Sequence, residues 1–122
     1  MHNHGAQAYN QVAKTVESPR EREAALLMKS AGMLQRVKDE WPAREQLGAA
    51  LTYNRKLWTI FLTSATREDN PLPQQARQNI ANIGIFVMGR TRELMFQPEA
   101  HKLDALVQIN RQIAAGLRAV PA

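Results

Sequence analysis

The sequence predicts an all-α fold, an antiparallel bundle of four long helices preceded by a short N-terminal one. Three observations predict it. Apolar residues recur at three- and four-residue intervals through four stretches of about 20 residues. Each stretch ends at proline or a capping residue, and strand-like alternation never persists beyond a few positions. The chain has 122 residues, 44% hydrophobic and 22% charged, with six prolines, six glycines and no cysteine. That composition suits one domain with a real core.

The elements follow in order. Met1 to Gly5 carries two of the three histidines and no apolar pattern, so it reads as a disordered tail ahead of a single domain over residues 6–122. Ala8, Tyr9, Val12, Ala13 and Val16 form the stripe of a short helix over residues 6–16. Ser18, Pro19 and Glu21 then supply an N-cap, a first-turn proline and the acid of a capping box. The first long helix runs from there to about Glu40, with Ala24, Leu27, Met28, Ala31, Leu34 and Val37 inward. Gly32 inside it is expected to mark close helix packing.

Trp41-Pro42 stops that helix, and the second is expected from Pro42 to about Thr66 with Leu47, Leu51, Trp58, Phe61 and Leu62 on one face. Asn54 lies on this stripe, where its amide needs a partner such as Asn110. The segment Arg67 to Pro73 has the composition of a turn. The third long helix, Pro73 to Phe96, spreads Ile80, Ile83, Ile85, Phe86, Val87, Met88 and Leu94 so widely that burial on several sides is expected. The fourth runs from Pro98 to about Ala119 with Leu103, Leu106, Val107, Asn110, Ile113 and Leu117 inward. Short links favour antiparallel neighbours.

Chemistry is sparse. His101 is flanked by Glu99, Lys102 and Asp104 in a first turn and reads as a solvated helix-end residue. His2 and His4 have no carboxylate or thiolate companion to complete a metal site. Neighbouring carboxylates fall at helix ends, where they serve as caps and dipole partners. Di-iron bundles need Glu-x-x-His pairs, and phosphate cradles need a glycine-rich loop after a strand; neither pattern occurs. The sequence thus points away from an enzyme, a bound cofactor and a metal. No stretch approaches the roughly 18 apolar residues of a membrane span, so a soluble cytoplasmic protein is expected.

Sixteen Lys and Arg against eleven Asp and Glu give a net charge of +5, which raises the question of nucleic acid. Glu17, Glu21, Glu23, Asp39, Glu40 and Glu45 are expected largely to neutralise Arg20, Arg22, Lys29, Arg36 and Lys38, so direct RNA contact is the lesser reading. The most informative segment is Leu51 to Phe61. Trp58 and Phe61 read as core, with Tyr53 and Arg55 as partner anchors should the segment line a groove. A small-molecule sensor with an apolar ligand in the core has no converging polar groups to support it.

Several stretches together resemble the FlaF family of alphaproteobacterial flagellar regulators. They are Ala8 to Pro19 with its Thr-Val-Glu-Ser-Pro ending, the Tyr-Asn-Arg-Lys-Leu-Trp run from Tyr53 to Trp58, Asp69 to Pro73, Arg77 to Met88, and Ile109 to Leu117. The resemblance implies a cytoplasmic, non-enzymatic factor for flagellin production and export, acting as a flagellin chaperone alongside the regulator FlbT and needing no cofactor. The opening Met1-His2-Asn3-His4-Gly5 departs from the family's shorter starts. With no catalytic residues to carry over, the candidate partner-binding residues are Tyr53, Arg55, Trp58, Asn79, Asn82 and Phe86. The alternative is a post-transcriptional regulator acting directly on flagellin mRNA. A broadly apolar third long helix leaves the oligomeric state open, since its own bundle or a second copy could cover it.

Overall fold

Ser18 starts the first helix as its side chain requires, accepting the Glu21 backbone N–H at 3.1 Å ahead of Pro19. The Glu21 carboxylate does not close a capping box. It accepts from Arg118 Nε at 3.0 Å at the far end of the chain instead. The computed structural model describes residues 18–119, so the expected tail 1–5 and the short helix 6–16 lie outside the described residues. Four helices follow: α1 (Pro19–Asp39), α2 (Leu47–Ala65), α3 (Gln74–Phe96) and α4 (Leu103–Ala119), the last preceded by a 3-10 turn at Ala100–Lys102. Among the described residues there is no strand.

Two boundaries differ from the sequence reading. Helix α2 begins at Leu47 rather than Pro42, because Ala43, Arg44, Glu45 and Gln46 offer nothing to bury and are exposed. After the cis Trp41-Pro42 bond the chain turns through them, with Ala43 N–H donating to Glu40 O at 2.9 Å and Leu47 N–H to Arg44 O at 3.0 Å. The Arg44 guanidinium lies 5.3 Å from the centre of the Trp41 ring. Pro98 likewise precedes the 3-10 turn rather than opening α4. The α2–α3 turn is built by Asn70, whose Nδ2 donates to Ser64 O at 3.0 Å while its Oδ1 accepts Leu72 N–H at 2.9 Å.

Each helix runs antiparallel to the next around a ring. Glu21–Arg118 and Lys38–Asp104 clamp opposite ends of α1 and α4, the most extensive helix pair; α2 packs on α1 and α3, and the α3–α4 side of the ring is the thinnest. Leu27, Leu34, Leu51, Trp58, Val87, Leu94, Leu103 and Leu106 are completely buried between them. Trp58 and Phe61 meet edge to face, with centroids 5.2 Å apart.

A polar chain crosses this core. Indole nitrogen only donates, so Trp58 Nε1, 2.9 Å from Asn110 Oδ1, fixes which way that amide faces. Asn110 Nδ2 then donates to Asn54 Oδ1 at 2.8 Å, and Ser30 Oγ donates to the same oxygen at 2.7 Å. The Asn54–Asn110 partnership expected from the apolar stripes is therefore present, and it ties α1, α2 and α4 together. Asn54 Nδ2 is buried without a partner.

Glycine use is the reverse of the sequence expectation. Gly32 is exposed, and a Cβ there would meet nothing within 4 Å. The close approach is at Gly84, where a Cβ would fall 2.4 Å from Leu62 Cδ2 and 2.8 Å from its Cγ. Gly32→Ala is expected to raise stability by about 0.5–1 kcal/mol through helix propensity alone. Gly84→Ala is expected to lower it by about 1 kcal/mol, overpacking against Leu62 outweighing the same gain. Urea unfolding of the two variants checks the opposite signs.

A candidate partner-binding face on the third helix

The sequence-selected residues do not converge on one site. Trp58 is 0% exposed and serves the core; it is not an anchor for a partner. Tyr53 is half-buried on the α1 side of α2, with Lys29 Nζ 5.4 Å from its ring centre. Arg55 is exposed on α2. Asn79, Asn82 and Phe86 do belong together on α3. The two amides are exposed and accept from Gln75 and Gln78, four residues earlier in each case, so they are surface groups and not interhelical struts. Phe86 is half uncovered, with the Arg90 guanidinium 5.0 Å from its ring centre.

Ile85, which the sequence reading placed inside, is 72% exposed; Phe96, at 93%, and Met95 are exposed as well. Burial on several sides is thus overturned: Ile80, Val87 and Leu94 face the core, while Asn82, Ile85, Arg92 and Phe96 share an outward row at helical spacing. Ile85 and Phe96 stand about 16 Å apart along it. The pattern was visible in the sequence, but breadth alone does not distinguish a surrounded helix from one with an uncovered apolar face. Ile60 on α2 and Met28 on α1 are the other large apolar side chains exposed among the described residues.

Towards the N-terminal end of α3, away from this row, the thin α3–α4 seam opens into a cleft of about 210 Å³. Leu72, Ala76 and Ile80 line one wall and Ile113, Gly116 and Leu117 the other, with Asn79 and Gln112 at the lip. No titratable side chain lines it. At the other end of the seam the charges are paired: Lys102 Nζ lies 3.2 Å from Glu93 and 2.9 Å from Glu99, and Arg90 Nη1 donates to Lys102 O at 3.1 Å. Hydrogen bonding to Lys102 holds both the Glu93 and the Glu99 carboxyl below the usual carboxylate range. The outward row is the part of α3 that can bury apolar side chains of a partner.

Elsewhere the chemistry stays thin. His101 is exposed in the 3-10 turn, and among the described residues no group of three or more His, Cys, Asp or Glu could hold a metal. No described helix is long and apolar enough to cross a membrane. Of the cations that RNA contact would use, Lys38 is paired with Asp104 and the Arg20 charge acts on Glu23.

Residues 5–117 match the family described as flagellar protein FlaF. The chain belongs to the FlaF family. No curated protein and no solved structure matches it. The FlaF match spans all four helices up to Leu117, so the α3 row and the α3–α4 cleft lie wholly within the family's extent.

Proposed function

We propose that this FlaF-family chain is a non-enzymatic flagellin chaperone of the cytoplasm, promoting flagellin production and export together with the regulator FlbT. The observation that carries the reading is the uncovered apolar row of α3, Ile85 to Phe96. Flagellin's terminal segments are amphipathic and self-associate when unpolymerised. A helix from such a segment laid along α3 would place its apolar side chains against Ile85, Phe86 and Phe96. Asn79 and Asn82, at the lip and on the row, offer free hydrogen-bonding capacity to the client's polar edge.

Calorimetric titration of the full chain with monomeric flagellin tests this. Association is expected to survive moderate salt, since apolar burial drives it. The double variant Ile85→Asp/Phe96→Asp is expected to bind at least about tenfold more weakly, a loss of about 1.4 kcal/mol or more, while its urea midpoint stays near that of the parent because both side chains already face solvent. Unchanged affinity in a folded double variant would remove α3 as the client face. Gel shifts with flagellin messenger at two ionic strengths separate the alternative: direct regulation of the message demands steeply salt-dependent binding sensitive to Arg36.

A further inference from the structure

Charge is segregated along the first two helices. Between Ala24 and Lys38, α1 has no carboxylate, and α2 has none from Leu47 to Ala65; the same two segments carry Lys29, Arg36, Lys38, Arg55 and Lys56. The ion pairs among the described residues lie elsewhere, between α1 and α4, in the α2–α3 turn and around Lys102. Lys29, Arg36 and Lys56 take part in none of them. Lys29 and Arg36 are seven residues apart on α1, and Arg22 precedes Lys29 by the same interval, all three exposed. Seven residues are nearly two turns, so the three cations form a row on one face with a repeat of about 10 Å.

Below Lys29 and Arg36, a groove of about 460 Å³ runs between α1 and α2. Its floor is small and apolar, made by Gly32, Met33, Val37, Ala49 and Ala50. Gly32 and the alanines allow another backbone to come close, and the space above Gly32 is open to 4 Å. The Tyr53 ring centre lies 5.4 Å from Lys29 Nζ.

We propose that this groove docks an amphipathic helix from a partner protein, one that carries acidic side chains seven residues apart beside a row of small apolar ones. The repeat of the cations fits a helical ligand, since carboxylates spaced by two helical turns meet Lys29 and Arg36 together. The apolar floor selects a polypeptide over a nucleic acid, since Met33, Val37 and the alanines give a phosphate chain nothing to bond and give a Leu or Ala side chain a place to leave water. Charge steers the approach and sets the orientation; contact with the floor provides residence. This site is separate from the α3–α4 cleft and does not rest on the flagellin reading.

The probe is a capped Ala/Leu helical peptide of about 18 residues with glutamates seven apart, titrated into the full chain alongside the same peptide with glutamine in their place. The acidic peptide is expected to bind at least about tenfold more tightly than the glutamine one, and the difference is expected to shrink as salt is raised. Lys29→Glu/Arg36→Glu is expected to abolish that preference. Gly32→Leu, which fills the floor while improving helix propensity, is expected to weaken the acidic peptide about tenfold without changing its salt dependence. Ile85→Asp/Phe96→Asp is expected to leave this binding unchanged, so the result stands or falls apart from flagellin. Equal affinity for the two peptides, indifference to Gly32→Leu in a folded variant, or a single-stranded RNA that binds more tightly than the acidic peptide would overturn the proposal.

Discussion

Trp58→Ala is expected to lower the unfolding free energy by about 3–5 kcal/mol, the largest loss from any single truncation in this protein. The side chain is 0% exposed, lies edge-on to Phe61 and donates to Asn110. Its removal opens a cavity at the centre of the ring of helices and leaves Asn110 Oδ1 without its donor. With total stabilities of about 5–15 kcal/mol usual for domains of this kind, the variant should be folded only marginally. Trp58→Phe separates the two causes: it retains most of the volume and loses the N–H, and is expected to cost about 1–3 kcal/mol. Urea unfolding monitored by far-ultraviolet circular dichroism measures both, and a Trp58→Ala midpoint equal to the parent's would contradict the burial of this residue.

Asn110→Leu is expected to cost about 2–4 kcal/mol, because it leaves the indole N–H of Trp58 buried with no acceptor and removes one of the two donors to Asn54. The partner substitution Asn54→Leu strands Asn110 Nδ2 and the Ser30 hydroxyl, but it also removes the unpaired Asn54 Nδ2. In the double variant Asn54→Leu/Asn110→Leu the stranded Asn110 Nδ2 and the Asn54 Oδ1 that had lost a donor disappear together. Its cost is therefore expected to fall short of the sum of the single costs by about 1–2 kcal/mol, the coupling expected of residues in one hydrogen-bonded chain. Strict additivity in that cycle would mean that the two amides do not interact.

These side chains also mark what the sequence made legible. The 3.6-residue periodicity located all four long helices, since each buries one continuous row: Ala24, Leu27, Ala31 and Leu34 on α1, or Leu103, Leu106, Asn110, Ala114 and Leu117 on α4. Asn54 and Asn110 could be paired because polar residues on two apolar rows must find partners inside. The start of α2 was hidden, because Pro42 is as compatible with a helical first turn as with the turn it adopts, and only the absence of anything for residues 43–46 to pack against decides between them. The candidate site was legible only in part. Asn79, Asn82 and Phe86 fall on the α3 face, whereas Trp58 went inside and Tyr53 went to the α1 side, because aromatic residues beside cations look alike in core and interface. Ile85 reads as interior because apolar residues spread around a helix do not say which side stays uncovered, which is a property of the assembled ring and of no single helix.

The pairing of α1 with α4 has a consequence for how this polypeptide is made. The broadest interface joins the first and last described helices, and Glu21 meets Arg118 across 97 positions of sequence. During synthesis at about 5–20 residues per second, the apolar face of α1 emerges roughly 5–20 s before the segment that covers it. The α1–α4 contact therefore forms only once α4 has emerged, and a nascent chain halted before residue 103 exposes Leu27 and Leu34 to whatever stands near the ribosome exit.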